Sequence, residues 1–169
     1  MALENNMMIK ISCYQTTQDL LHKAFCQLAE KCYYGKLKTT VIAGNDDLIQ
    51  TLDKVLWTYS KKHFIPHATN ADPFPEKQPI YITNKFESSI KTEIIIFVNI
   101  TKQSLLDTID KKNKTQIENV QKILFLFDEL QELKSSEICL CLKKSYIQNV
   151  EFDSFMQTKQ GLWQKILIS

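Results

Sequence analysis

Two pairs of side chains stand at spacings at which proteins can bind zinc. His22 and Cys26 lie four residues apart in a predicted helix, and His63 and His67 lie four residues apart in a predicted loop. A structural zinc site needs four ligands, and the sequence has no CxxC pair to supply the other two. We therefore expect no metal ion and no cofactor, and we interpret the cysteines as small buried apolar side chains.

The sequence gives little sign of a nucleotide site or a catalytic site. The first predicted strand-to-helix turn, YQTTQD at 14–19, has neither a glycine nor the Lys-Ser/Thr pair that phosphate-binding loops use. Gly44, after the second predicted strand, stands alone, and nothing supports a cysteine nucleophile with a histidine and a carboxylate in reach. We predict that the protein is not an enzyme. The alternative is a small α/β nucleotide-binding protein or enzyme with a site at the carboxyl ends of its strands.

Large apolar side chains cluster where one predicted helix ends. Residues 48–56 carry a narrow apolar stripe at helical spacing, and Trp57 lies outside that stripe. Tyr59, Phe64 and Pro66 follow within a few residues. These groups either fold back into a small satellite core or form an anchor for a partner, because Trp and Tyr dominate binding hot spots. The pattern alone leaves both interpretations open.

Composition and charge are those of an ordinary globular chain. The 169 residues are 44% hydrophobic and 24% charged, which predicts one domain with a full core. The net charge is +2 and every cation is a lysine, so we expect little or no direct contact with DNA, where arginine supplies bidentate contacts. Five irregularly spaced cysteines fit a reducing compartment. Without an apolar run of about 18 residues or a secretory signal, we expect a cytoplasmic protein with no membrane contact.

Strands and helices alternate along the chain, which predicts an α/β fold. Residues 93–100 are so uniformly apolar that we expect a strand buried on both faces at the centre of a sheet. All four prolines lie within 66–79, so residues 59–78 are predicted to form a long irregular crossing. Residues 129–148 are predicted as a closing helix, and 150–156 as an edge strand. The other predicted strands are 7–14, 37–43, 80–83 and 122–128, and the other helices end near Gly35, Trp57 and Ile109.

Such alternation predicts a mostly parallel central sheet with helices on both faces. We expect a single three-layer domain covering residues 1–169, with about five to six strands. Residues 1–6 are predicted to form a flexible N-terminal tip.

Residues 52–83, LDKVLWTYSKKHFIPHATNADPFPEKQPIYIT, resemble the central signature of the chi subunit of bacterial DNA polymerase III. The spacing from Trp57 to Phe64 and to the Pro66-His67 pair is the specific part of this resemblance. It covers about 7–165 and is loosest in the C-terminal third. The matching residues are Leu52, Asp53, Leu56, Trp57, Phe64, Pro66, His67 and Pro79.

The resemblance implies a non-catalytic accessory subunit of the clamp-loader assembly that acts in DNA replication. Members of this family bridge the psi subunit to the C-terminal tail of single-stranded DNA-binding protein. The implied docking site for psi, or for a helicase-like partner, centres on Trp57 and Phe64, with Tyr59, Pro66 and His67 shaping it.

The resemblance also implies a second site, on the closing helix, for the acidic tail that ends in phenylalanine. Such a site needs a cation for the terminal carboxylate and an apolar slot for the ring. The residues implied are Lys134, Lys143, Lys144 and Tyr146. An apolar run, residues 138–142, replaces the arginines typical of this family, so the tail is expected to bind more weakly or not at all.

Overall fold

The computed structural model describes residues 8–168, which contain eight strands, five α-helices and three short 3-10 helices. The predicted tip at residues 1–6 lies outside this part. The strands are β1 Ile9–Thr16, β2 Thr39–Ala43, β3 His67–Thr69, β4 Ile80–Thr83, β5 Ile94–Val98, β6 Lys122–Asp128, β7 Val150–Gln157 and β8 Trp163–Ile166. The helices are α1 Leu21–Tyr34, α2 Asp46–Thr58, α3 Lys102–Thr108, α4 Lys114–Glu118 and α5 Ser135–Lys143.

The strands form a single sheet in the order β3-β4-β2-β5-β6-β1-β7-β8. Each neighbouring pair is parallel except β7 and β8, which are antiparallel. All five residues of β5 are buried, which confirms the prediction of a strand covered on both faces at the centre of the sheet.

Side chains alternate across β5 and divide the interior into two cores. Ile94, Ile96 and Val98 face α1 and α2, whereas Ile95 and Phe97 face α3, α4 and α5. Helices therefore cover both faces of a mostly parallel sheet. This arrangement confirms the predicted three-layer α/β fold.

The predicted strand count and edge strand were wrong. The sheet has eight strands instead of five to six, because β3 lies within the predicted irregular crossing and β8 follows β7. β7 is not an edge strand, since it pairs with β1 on one side and with β8 on the other. The two missed strands, HAT and WQKI, are too short to show alternation and lack the continuous apolar run that identified the equally short β4.

The closing helix was predicted too long. Instead of residues 129–148, α5 covers Ser135–Lys143, and turns occupy both flanks. Before α5, the Asp128 carboxylate accepts a hydrogen bond from the Leu130 amide at 2.9 Å, which holds the chain in a turn after β6.

α2 begins and ends close to where the sequence predicts. The Asn45 side chain accepts a hydrogen bond from the Leu48 amide at 2.8 Å and caps the first turn. Ile49, Leu52 and Leu56 are buried against the sheet. The helix ends at Thr58, so Trp57 lies in its last turn and outside the buried stripe.

Candidate functional site

Two aromatic side chains form an exposed pair at the end of α2, here called the aromatic patch. Trp57 is 59% exposed and Phe64 is 48% exposed. Their ring centroids are 4.8 Å apart with the planes tilted by 33°, so the two rings pack on each other at the surface. Of the two interpretations left open by the sequence, the satellite core is excluded for these two residues.

His67 supports the aromatic patch from below. Its side chain is fully buried, and the imidazole lies edge-on to Trp57 at 5.4 Å and tilted to Phe64 at 5.8 Å between centroids. Ile65, which precedes it by two residues, is buried in the core and anchors the loop, and Pro66 is half-buried between them. The aromatic patch therefore rests on a fixed base.

Both ring nitrogens of His67 face hydrogen-bond acceptors. Nδ1 is 2.7 Å from the Ile65 carbonyl oxygen, and Nε2 is 3.0 Å from Oδ1 of Asp53 on α2. A carbonyl oxygen and a carboxylate oxygen can only accept, so the ring nitrogen is the donor in a hydrogen bond to either of them. The contact with Asp53 ties the start of β3 to α2 and fixes the orientation of the imidazole.

Tyr59 does not join the aromatic patch. It lies two residues after Trp57, and its hydroxyl donates a hydrogen bond to Oε2 of Glu30 on α1 at 2.7 Å. This hydrogen bond, with burial as a smaller cause, raises the pKa of Tyr59 to about 12. Its ring lines a separate groove with Tyr34 and Trp163. Trp57 and Tyr59 are two residues apart, which in a helix turns their side chains about 200° from each other. This spacing is the sequence signal that the two rings point to different sides.

On the opposite face of the sheet, α3 and α5 enclose a cavity of about 550 Å³, here called the lysine-rimmed cavity. Of the residues that the resemblance implied, Lys144 and Tyr146 line it. Lys143 is exposed outside the lining. Lys134, just before α5, donates from Nζ to the Glu129 carbonyl at 2.8 Å and lies 6.0 Å from the centroid of the Phe127 ring. The structure thus brings together two of the four.

The lysine-rimmed cavity also contains residues that sequence reasoning missed. Lys102 on α3 and Lys111 in the following turn contribute two further cations to its rim. Asp110 and Glu137 stand among them. No local pattern could have identified these lysines, because only the tertiary packing of α3 beside α5 brings them to one site. The apolar lining consists of Leu106, Ile109, Leu140 and Cys141.

Tyr146 has an unusual environment in the wall of this cavity. Its hydroxyl oxygen is buried and has no hydrogen-bond partner among the described residues. Burial, with a smaller contribution from the nearby carboxylates of Glu118 and Asp110, raises the pKa of Tyr146 to about 12. The phenol therefore stays protonated at neutral pH. Lys114 lies 5.8 Å from the centroid of its ring.

A known protein family matches the part of the chain that carries the aromatic patch and α3 of the lysine-rimmed cavity. Residues 8–137 match the family described as DNA polymerase III chi subunit, HolC. The chain belongs to this family. One relative, the probable DNA polymerase III subunit chi of Rickettsia prowazekii (strain Madrid E), is 34% identical over 166 residues, which are 97% of this chain and 97% of the relative.

Membership in the chi family places the protein in DNA replication, as an accessory subunit of DNA polymerase III. The matched residues include the whole aromatic patch and its support, as well as α3. The match ends inside α5, before Lys144 and Tyr146. The similarity to the chi relative nevertheless continues across nearly the whole chain.

In each pair considered as zinc ligands, one side chain is exposed and the other is buried. His22 is exposed whereas Cys26 is buried, and His63 is exposed whereas His67 is buried. Burial raises the pKa of Cys26 to about 12, so its thiol stays protonated. Among residues 8–168, no group of three or more His, Cys, Asp or Glu side chains is placed to hold a metal ion.

Polar groups at the carboxyl ends of two central strands bind each other. After β5, the Asn99 side chain donates to Oδ2 of Asp128 at 2.9 Å, and its amide oxygen accepts from the Asp128 backbone amide at 3.1 Å. At Gly44, after β2, any side chain would collide with the Asn99 carbonyl group. Close packing of these strand ends explains the lone glycine.

Within residues 8–168, none of the helices is both long and apolar enough to cross a membrane.

Proposed function

We propose that this chi-family protein is a non-catalytic adaptor in the cytoplasm that bridges two partners of the replication machinery. One partner is the psi subunit of the clamp loader, or a helicase-like protein that uses the same surface. The other is the C-terminal tail of single-stranded DNA-binding protein. DNA itself is contacted little or not at all. The exposed pair of Trp57 and Phe64 is the single observation that carries the proposal.

The aromatic patch has the properties of an interface anchor. Two large rings expose about half of their surface side by side, which is costly in water unless a partner covers them. Burial of Ile65 and the contacts of His67 hold the rings in place, so little conformational entropy is lost when a partner binds. An apolar segment of psi is the proposed occupant.

The lysine-rimmed cavity has the chemistry that an acidic, Phe-ending tail requires. Its apolar lining can accept a phenylalanine ring, and Lys102, Lys111 and Lys144 can neutralise the terminal carboxylate. Lysine binds a carboxylate as a point charge and lacks the fixed fork of arginine. We therefore propose that the tail binds here with modest affinity that declines with salt.

The two proposed sites lie on opposite faces of the sheet. α2, which carries Trp57, packs on one core, and α3 and α5, which enclose the cavity, pack on the other. Both partners can therefore bind one molecule at the same time. Two weak contacts joined by a rigid body act as one tighter contact, because the second binding event is intramolecular.

The test measures, by calorimetric titration, how tightly the Trp57→Ala variant and the wild type each bind the purified psi subunit. We expect a loss of about 2 kcal/mol or more, the usual cost of truncating a buried aromatic anchor. Leu162→Ala is the matched control, because Leu162 is 68% exposed but outside the aromatic patch, and it should bind like the wild type. Circular dichroism checks that both variants fold. Unchanged psi affinity in folded Trp57→Ala would refute the proposed docking site.

A further inference from the structure

Three lysines lie close along the chain to the two residues of the aromatic patch. Lys54 lies three residues before Trp57 and therefore on the same side of α2, and Lys61 and Lys62 lie in the loop that leads to Phe64. All three lysines are exposed, and none forms an ion pair with a carboxylate among the described residues. The sequence has no Asp or Glu from residue 54 to residue 71.

The carboxylate of Asp53, on the same helix, offsets only part of this positive charge. Its Oδ1 lies 3.0 Å from Nε2 of His67, and it supplies one negative charge against the three positive charges of the lysines. The rings therefore lie in a positive rim to which Lys54, Lys61 and Lys62 each contribute one charge. Charges placed at the rim of an interface select partners of opposite sign and accelerate their association.

We propose that the aromatic patch binds an acidic apolar segment of a protein partner. A large apolar side chain of that segment packs against Trp57 and Phe64, and Asp or Glu residues beside it face the lysine rim. This inference rests on the proposed docking function and adds the charge of the partner. The three exposed lysines, which have no ion pair among the described residues, are the observation that selects this occupant.

A single strand of nucleic acid would also meet lysines and aromatic rings here, but the surroundings disfavour it. Strand binding requires free ring faces and a continuous basic track for the phosphates. Trp57 and Phe64 pack on each other at 4.8 Å. The next groove along α2, about 770 Å³ in volume, is lined by Asp46, Asp47 and Asp53 against a single lysine, Lys54, so its net negative charge would repel phosphates. A protein segment can end before this groove.

The test compares two double variants, in each of which two lysines are replaced by glutamate. The affinity of each variant for the purified psi subunit is measured at low and at high salt. Lys61→Glu/Lys62→Glu reverses the rim, and Lys91→Glu/Lys159→Glu makes the same change of net charge at exposed positions elsewhere. We expect the rim variant to bind about tenfold more weakly at low salt, with a smaller difference at high salt where the charges are screened. The control pair should stay near the wild type.

Trp57→Ala, titrated in parallel, separates this inference from the docking function. If Trp57→Ala loses affinity while the rim variant binds as tightly as the wild type or more tightly, the docking site stands and the acidic partner is wrong. If Trp57→Ala keeps its affinity, the docking function itself fails. A labelled oligo-dT that binds the wild type, competes with psi and is lost in the rim variant would identify nucleic acid as the occupant and overturn the proposal.

Discussion

At the scale of single residues, His67 explains how two aromatic rings remain ordered at the surface. Polar neighbours hold its imidazole on both sides, and the ring in turn contacts Trp57 and Phe64. The hydrogen bond to Asp53 joins this base to the helix that carries Trp57. One buried side chain therefore contributes to stability and also supports the proposed docking site.

Asp53→Ala tests this coupling. The substitution removes the acceptor of Nε2 and leaves a buried polar atom without a partner, which costs about 1–3 kcal/mol of the free energy of unfolding. Because the Asp53 side chain is 33% exposed, water can replace part of the contact, and we expect a value in the lower half of that range. Urea denaturation followed by circular dichroism measures it.

Asp53→Asn and Asp47→Ala are the controls for this measurement. The asparagine keeps an oxygen that can accept from Nε2, so it should lose less than the alanine. Asp47 is exposed in the first turn of α2 and makes no contact with His67, so its alanine variant should change stability by a few tenths of a kcal/mol. An Asp53→Ala protein as stable as the wild type would show that the imidazole does not depend on this contact.

At the scale of elements, strongly apolar segments were predictable, and short segments of mixed polarity were not. β6 was predicted with its observed bounds, Lys122–Asp128, and α2 ended within one residue of its predicted end. β3 and β8 have too few residues to show a period, and the ends of α5 depend on local turns instead of on its apolar pattern.

The residues of the two candidate sites also differ in whether the sequence could identify them. Trp57 and Phe64 could be singled out because their apolar side chains fall outside the stripe of the helix. Lys102 and Lys111 could not, since their role follows from the packing of α3 beside α5 and leaves no local pattern. Sequence therefore predicts an anchor carried by one element better than a cavity built from two.

The cap of α2 can be tested, because this helix positions Trp57. Asn45→Ala removes the side-chain acceptor for the Leu48 amide, and we expect a loss of about 1 kcal/mol in the free energy of unfolding. The backbone of Asn45 is extended, with φ −158°, so alanine adds no strain that would obscure the result. Asn45→Asp retains an acceptor and should stay close to the wild type in the same thermal denaturation. Equal stability of the alanine and aspartate variants would contradict the assigned cap.

At the scale of the whole molecule, the sheet separates the two proposed sites. The aromatic patch is carried by elements on one face, and the lysine-rimmed cavity by elements on the other. The proposed adaptor requires that each partner bind without displacing the other, and two sites on opposite faces meet this requirement. It also predicts that damage to one site leaves the intrinsic affinity of the other unchanged, because they share no contacting residue.

Lys144→Glu and Trp57→Ala, alone and combined, test this independence. Lys144→Glu places a negative charge in the cavity wall, so we expect the acidic tail peptide to bind about tenfold more weakly at low salt, with the loss reduced at high salt. Lys143→Glu, outside the lining, is the matched control and should lose less. Psi affinity should be unaffected by Lys144→Glu, and tail affinity by Trp57→Ala. If either substitution weakens both partners, the two sites are coupled through the sheet or the partners share one surface, and the picture of a rigid two-faced adaptor is wrong.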